Sequence, residues 1–272
     1  FVVYKGTGTS VSVTGLTANT SYTFHVFEFN TSTSGDENYL TGNGAANNPA
    51  SQTTANEPSN HVTAFTNVFA NTTSTAIRLS WTGATGTTLP SNYLILVRSI
   101  TDAGAFAAVA DGTAVVNDSD LTNGNGAINV AHAVGANTYD WTGLTAGKQY
   151  EFKIYSYNTA GTVNPNFKTD GTVPVVSAFT EPSVQATAIV FSNVTNTSVD
   201  LSWTNGTAGN TRLVVAKQGA NPTVPTDGTT YTANAAFGSG TDVGASSFVV
   251  YKGTGTSVSV TGLTANTSYT FH

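Results

Sequence analysis

Imidazole moves protons near neutral pH, and this chain carries four: His25, His61, His132 and His272. No spacing around them reads as a positioned nucleophile and base. His25 alternates with Phe24 and Val26 on a predicted strand and points to solvent. His61 sits beside a junction, and His132 lies between small apolar residues. Asp36 and Glu37 are adjacent, so a strand would send the two carboxylates to opposite faces; a solvated loop fits them better. Cysteine is absent, which removes thiolate catalysis, disulfides and Cys-ligated metal. The chain is expected not to be an enzyme.

The densest cluster of hard oxygen donors is Asp118-Ser-Asp-Leu-Thr-Asn-Gly-Asn-Gly126. Asp118, Asp120, Asn123 and Asn125 could supply oxygens to calcium. The stretch departs from the EF-hand pattern, with Thr122 at the fifth place, Gly at the seventh and no Glu at the twelfth. A polar turn between strands explains the same residues, and both readings stand. No other cofactor is implied.

Two aromatic pairs could grip a ligand. In VFEFN, Phe27 and Phe29 alternate with Tyr22, Phe24 and Val26; in IYSYN, Tyr155 and Tyr157 alternate with Tyr150, Phe152 and Ile154. If one set faces the core, the other faces outward. An exposed aromatic stripe would mark contact with a glycan or a protein. Alternatively, surplus chain folds over this face and buries it. The sequons at Asn71 and Asn193 carry no weight in a chain so rich in Asn, Ser and Thr.

The elements that position these residues follow from composition and pattern. Of 272 residues, 39% are apolar and only 9% charged, so Thr, Ser, Asn and Gly supply the polar surface. The net charge of −6 and nine scattered Lys and Arg argue against nucleic acid. No apolar run approaches the ~18 residues of a membrane span, and no signal peptide is visible. There is no Met, which predicts a window of a longer chain.

Residues 1–25, FVVYKGTGTSVSVTGLTANTSYTFH, recur without change as residues 248–272, a period of 247. A weaker repeat lies inside it. Glu57-Pro-Ser and Glu181-Pro-Ser stand 124 residues apart, and each opens a stretch ending in Leu-Ser-Trp. TGLTANTSYTFHVFEFN (Thr14–Asn30) aligns with TGLTAGKQYEFKIYSYN (Thr142–Asn158), and DGT occurs at Asp111 and Asp227. The expected organisation is residues 1–56 as the end of one domain, 57–180 as a complete domain, and 181–272 as the beginning of another. Pro at each boundary makes the junctions short and stiff.

Ala76–Trp81 and Val199–Trp203 place Leu and Trp on one face, while Tyr93–Arg98 and Arg212–Lys217 are apolar runs. Val11, Val13 and Leu16 correspond to Tyr139, Trp141 and Leu144. Turn residues punctuate every interval and no 3.6-residue period appears, so the fold class is all-β, a tandem of antiparallel β-sandwiches. In Leu16–Tyr22 and Leu144–Tyr150, Leu precedes Tyr by six residues and Y-x-F-x-[VI] follows. This looks like a tyrosine corner, whose hydroxyl returns to upstream backbone.

With the Ser-Trp ending of an early strand, these residues resemble the fibronectin type III domain. The resemblance implies a fibronectin-III/Ig-like sandwich with Trp81 and Trp203 as core tryptophans of strand B, and Tyr22, Tyr150 and Tyr269 as corner tyrosines. TYTANAAFGSGT, LPSNYLILV and NFKTDGTVP are similar to repeats of large secreted proteins of Bacteroidota, many of which leave by the type IX route. That resemblance implies an extracellular, cell-surface setting, with the chain as a structural repeat of a fibre, adhesin stalk or filament. The expected partners are neighbouring repeats. Two alternatives remain: a glycan- or protein-binding module using the strand F aromatics, or spacers attached to an exported enzyme. The repeated stretch itself is expected to span strand E, the corner and the start of strand F.

Overall fold

The computed structural model describes residues 1–18, 20–42, 45–54, 56–159 and 164–272. Among these residues there is no α-helix, and the strands pair antiparallel throughout. The first group is β1 (Ser21–Phe24), β2 (Phe29–Asn30), β3 (Asn38–Tyr39) and β4 (Ala50–Thr53). β1 pairs with β4, and β2 with β3.

The middle unit is a two-sheet sandwich. Its strands are β5 (Thr63–Asn67), β6 (Ala76–Thr82), β7 (Asn92–Ser99), β8 (Asn125–Ala131), β9 (Ala136–Thr142), β10 (Gln149–Thr159), β11 (Pro165–Phe167) and β12 (Val175–Phe179). One sheet runs β5-β6-β9; the other runs β8-β7-β10, with β11 and β12 both on the far edge of β10. The third unit holds β13 (Thr187–Ser192), β14 (Val199–Thr204), β15 (Arg212–Gln218), β16 (Ser247–Gly253), β17 (Ser257–Val260) and β18 (Tyr269–Phe271). Its sheets are β13-β14-β17 and β16-β15-β18.

Side-chain alternation builds the cores. On β6, Ile77, Leu79 and Trp81 are buried, and they meet Tyr93, Ile95 and Val97 of β7 and Phe152 and Ile154 of β10. Each such burial stabilises the fold by about 1.5–3 kcal/mol. The Trp81 ring meets Tyr93 edge-on at 5.9 Å, the arrangement aromatic quadrupoles favour. β7 is an unbroken apolar run because both its faces are covered: Tyr93, Ile95 and Val97 face the sandwich, while Leu94 and Leu96 lie in a second cluster outside it. In the third unit Leu201, Trp203, Val214, Ala216, Val250 and Val260 form the smaller core.

Two local devices recur between units. Where β5 meets β6, the register shifts between Thr63 and Thr66, with Ala64 at φ 50°. Where β13 meets β14, it shifts between Thr187 and Val190, with Ala188 at φ 53°. This is one bulge at corresponding places, the kind of local irregularity that bends an edge strand. Ahead of each corner tyrosine, Gly15, Gly143 and Gly262 take φ of 73°, 76° and 71°, a left-handed turn that needs no Cβ.

The repeated stretch departs from its expected assignment. In the second copy its beginning is a separate strand, β16, paired with β15, and only Ser257–Val260 forms β17 beside β14. In the first copy no strand forms before Ser21 among the described residues. Strand structure needs a ladder partner, and the second copy has one in β15 and β14 where the first does not.

Candidate interaction surfaces

The corner tyrosines share one geometry. Tyr22, Tyr150 and Tyr269 each accept, through the hydroxyl, the backbone N–H five residues upstream: Thr17 at 2.9 Å, Thr145 at 2.9 Å and Thr264 at 3.0 Å. A threonine lock accompanies two of them. Thr180 Oγ1 donates to the Thr145 carbonyl at 2.7 Å and accepts the Lys148 N–H at 3.2 Å. Thr54 Oγ1 likewise donates to the Thr17 carbonyl and accepts the Thr20 N–H at 3.0 Å.

The proposed outward aromatics divide. Tyr155 and Tyr157 are buried with Leu94, Leu96, Ala127 and Phe167, beneath Phe106, Val109 and Val115 of the β7–β8 connection. The Tyr157 hydroxyl donates to Asn129 Oδ1 at 2.9 Å. Of the two alternatives, the surplus chain covers these rings. Phe27 is 45% exposed. Phe29 is half-buried, stacked on Tyr39 at 4.9 Å, with Lys5 Nζ 5.3 Å from its ring.

The oxygens proposed for calcium serve the backbone. Asp118 Oδ1 accepts the Asp120 N–H, Asp120 Oδ1 accepts the Thr122 N–H, and Asn123 Oδ1 accepts the Asn125 N–H, at 2.9, 2.9 and 2.8 Å. These are successive Asx turns leading into β8. The Thr122 bonds hold the Asp120 carboxyl below its usual range. Asn125 is the first residue of β8.

The imidazoles lie apart. His61 Nε2 is 2.8 Å from the Asp170 carbonyl, and His132 Nδ1 is 2.6 Å from the Tyr93 hydroxyl, which also accepts the Ala84 N–H. His25 packs on Phe27 at 3.9 Å. Asp36 closes a loop instead of facing Glu37: it accepts the hydroxyls of Thr31 and Ser32 and the N–H groups of Ser32 and Thr33. Those bonds, the Ser32 hydroxyl foremost, hold its carboxyl far below the usual carboxylate range. Glu37 instead pairs with Lys5 at 2.5 Å.

Sequence patterning missed one feature, a groove of about 460 Å³ in the third unit. It opens between the two sheets and is lined by Val184, Ile189, Leu201, Trp203, Arg212 and Val214. Apolar alternation announces each of its strands but not that one side stays uncovered. Trp203 Nε1 is buried there without a hydrogen-bond partner. Ile189, Val190 and Phe191 of β13 are 44%, 55% and 51% exposed, whereas corresponding sandwich interiors in the middle unit are closed.

The glutamates of the two Glu-Pro-Ser boundaries do different work. Glu57 lies 3.3 Å from Lys168, which also pairs with Asp170. At the second boundary the Glu181 backbone is used: its N–H donates to the Thr73 carbonyl and its carbonyl accepts the Gly147 N–H. Gly147 sits at φ 67°, and a Cβ there would come within 1.8 Å of the Ala208 carbonyl oxygen. Only glycine lets the corner loop of the middle unit approach the third unit this closely.

No helix among the described residues is long and apolar enough to cross a membrane. No curated protein sequence matches the chain. Among solved structures, a two-domain fibronectin type III segment of chicken tenascin is 15% identical, with a TM-score of 0.31, over 77% of this chain and 87% of that one. The FN1–FN3 domains of chicken CNTN1 are 11% identical, with a TM-score of 0.35, over 80% of this chain and 62% of that one. The family model of the fibronectin type III domain matches residues 62–172. That segment carries the three-stranded and four-stranded antiparallel sheets, the buried Trp81 and the Tyr150 corner described above, and it is a fibronectin type III domain.

Proposed function

We propose that the chain is a structural repeat of an extracellular array: a cell-surface fibre, adhesin stalk or filament of the kind exported by Bacteroidota. The observation that carries this reading is the recurrence of residues 1–25 as residues 248–272 without one change. A stretch repeated at a fixed period, embedded in units that each bury a core, suits a molecule whose task is length. Each sandwich would add roughly 30–40 Å if strands run about ten residues at 3.3 Å each. The bonded junction at Glu181 and the closely fitted Gly147–Ala208 contact limit bending between neighbours. Electron microscopy of the purified protein tests the reading. Extended, periodic rods are expected, and compact isolated particles would overturn it.

A further inference from the structure

β1 and β18 share the sequence Tyr-Thr-Phe from the repeated stretch and have complementary edges. Tyr22 of β1 pairs with Gln52 of β4, and Phe24 with Ala50, as Tyr150 of β10 pairs with Ala178 of β12 and Phe152 with Val176. The opposite edge of β1 is unpaired among the described residues. Tyr269 of β18 pairs with Gln218 of β15, and Phe271 with Ala216, as Tyr150 pairs with Ser99 of β7 and Phe152 with Val97. There it is the other edge that lacks a neighbour among the described residues. In the complete middle unit a single strand, β10, has both neighbours at once.

We infer that β1 of one copy and β18 of the preceding copy are a single strand in the assembled array, so that residues 26–53 complete the sandwich begun by residues 181–272. The inference rests on the repeat reading above and names the partner of its open domain as the next copy of the same repeat.

The register is fixed by what is already paired. His272 and Val215 exchange both backbone hydrogen bonds at 2.9 Å. His25 is the counterpart of His272 in the repeated stretch. Continuing the ladder places Val26 opposite Val214, Phe27 opposite Leu213 and Glu28 opposite Arg212. In an antiparallel pair, hydrogen-bonded and non-bonded positions alternate. Phe27–Leu213 is then a hydrogen-bonded pair, and the backbone groups of Phe27 make no hydrogen bond among the described residues. Val26 has its backbone directed to the other edge, where its N–H and carbonyl already meet the Asn48 side chain at 2.9 and 2.8 Å. In the middle unit the equivalent Ile154 N–H likewise meets the Pro174 carbonyl on that edge.

The side chains agree with this register. Val26 is 68% exposed here, while Ile154, its counterpart, is fully buried in the core. Opposite Val214 it would enter the groove that Val214, Leu201 and Trp203 line. Glu28 would follow on the same face, at a non-bonded position where opposed side chains stand closest. It would meet Arg212, which lines the groove and has no ion pair among the described residues; Glu28 has none either. In the middle unit the counterpart strands carry an ion pair on the opposite face, Arg98 of β7 with Glu151 of β10 at 2.6 Å, while Tyr93 and Ser156 hold the places of Arg212 and Glu28. Thr54 would then supply the corner at Tyr269 with the lock that Thr180 provides at Tyr150.

The test uses a two-copy chain, residues 1–272 followed directly by residues 26–272, so that the repeated stretch occurs once at the join. The native chain has no cysteine, so an introduced pair reports one contact. Arg212→Cys in the first run and Glu28→Cys in the second should close to a disulfide in nearly every molecule under mild oxidation, mapped by mass spectrometry. The one-step-shifted pair, Arg212→Cys with Phe27→Cys, should remain largely reduced, because adjacent residues project to opposite faces. Separately, Arg212→Glu in the first run should lower the melting temperature of the two-copy chain by about 4–8 °C, and adding Glu28→Arg in the second should restore most of it. Free thiols in the first pair, equal closure of the shifted pair, or a double charge variant no more stable than the single would each overturn the inference. So would closure between Arg212→Cys and Glu28→Cys within one 272-residue chain. Imaging separates the two readings. Extended rods without the disulfide sink only the shared strand, and the disulfide in compact particles sinks only the fibre.

Discussion

The Tyr150 hydroxyl accepts the Thr145 backbone N–H at 2.9 Å while its ring is almost wholly buried, 3% exposed. One side chain thus joins the loop entering β10 to the core beneath it. Tyr150→Phe keeps the ring and strands the Thr145 N–H. It should cost about 0.5–1.5 kcal/mol, the net worth of one hydrogen bond, read as a lower urea midpoint at unchanged slope. Thr145 and Thr17 are both exposed, but Tyr150 is buried and Tyr22 only half-buried, so water reaches the hydroxyl more readily at Tyr22. Tyr22→Phe should therefore cost less.

Trp81 and Trp203 occupy matching strand ends in unlike surroundings. Trp81 is closed in by Tyr93 on the facing sheet, whereas Trp203 lines the open groove and touches Tyr251 at 5.2 Å. Trp81→Ala should cost about 3–5 kcal/mol, the usual range for emptying a packed aromatic site. Trp203→Ala in the single 272-residue chain should cost less, because water already reaches one side. Chemical denaturation of the two variants gives the comparison.

Tyr155 and Tyr157 hold the outer face of β10 under the β7–β8 connection. Tyr155→Ala and Tyr157→Ala should each destabilise the middle unit by about 3–5 kcal/mol. The calorimetric melting temperature reads this, and an unchanged value would mean that the covering segment does not pack on them. Tyr157→Phe, which removes only the bond to Asn129, should cost about 0.5–1.5 kcal/mol.

Asp36 ties Thr31, Ser32 and Thr33 into one loop, and its carboxyl is held far below the usual range by the Ser32 and Thr31 hydroxyls. A depressed folded-state pKa stabilises above the unfolded value of about 3.9, and that contribution is lost as pH falls through the folded value. The loop should therefore persist at pH 4 and loosen only in stronger acid. Carbon-detected NMR titration of the Asp36 carboxyl checks this. A midpoint near 3.9, or a loop unaffected by Asp36→Asn, would contradict it.

Much of the fold was legible in the sequence because its signals are local. Alternation on Ala76–Trp81 and the Leu-to-Tyr spacing at Tyr150 each report on a few neighbouring residues. What required structure is non-local. The same IYSYN alternation fits a bare aromatic stripe or a covered one, and only the path of residues 106–115 over Tyr155 and Tyr157 decides between them. The turns of the Asp118–Asn125 cluster likewise appear only when the backbone shows which N–H groups the oxygens meet. The open groove depends on which strands are absent from one edge, and no residue within it signals that.

The two copies of the repeated stretch separate these influences within one molecule. Tyr4 and Tyr251 make the same turn, their hydroxyls accepting the N–H of Gly8 at 2.6 Å and of Gly255 at 2.7 Å. That contact spans four residues and needs no partner strand. Val3 and Val250 differ: Val3 is 49% exposed and outside any strand, while Val250 is 2% exposed in β16. Identical residues thus share local turns and diverge wherever a ladder must come from elsewhere in the chain. Hydrogen exchange should register this. Amides of β16, including Val249, which donates to Thr241 at 3.0 Å, should be protected. Those of Val2 and Val3 should exchange at nearly the free-peptide rate, since solvent-exposed backbone without a partner opens at almost no cost. Fragments reaching back to Ser247 or forward to Val26 distinguish the copies by mass. Equal protection in both would show that the stretch carries its strand structure by itself, and that β15 is not what orders it.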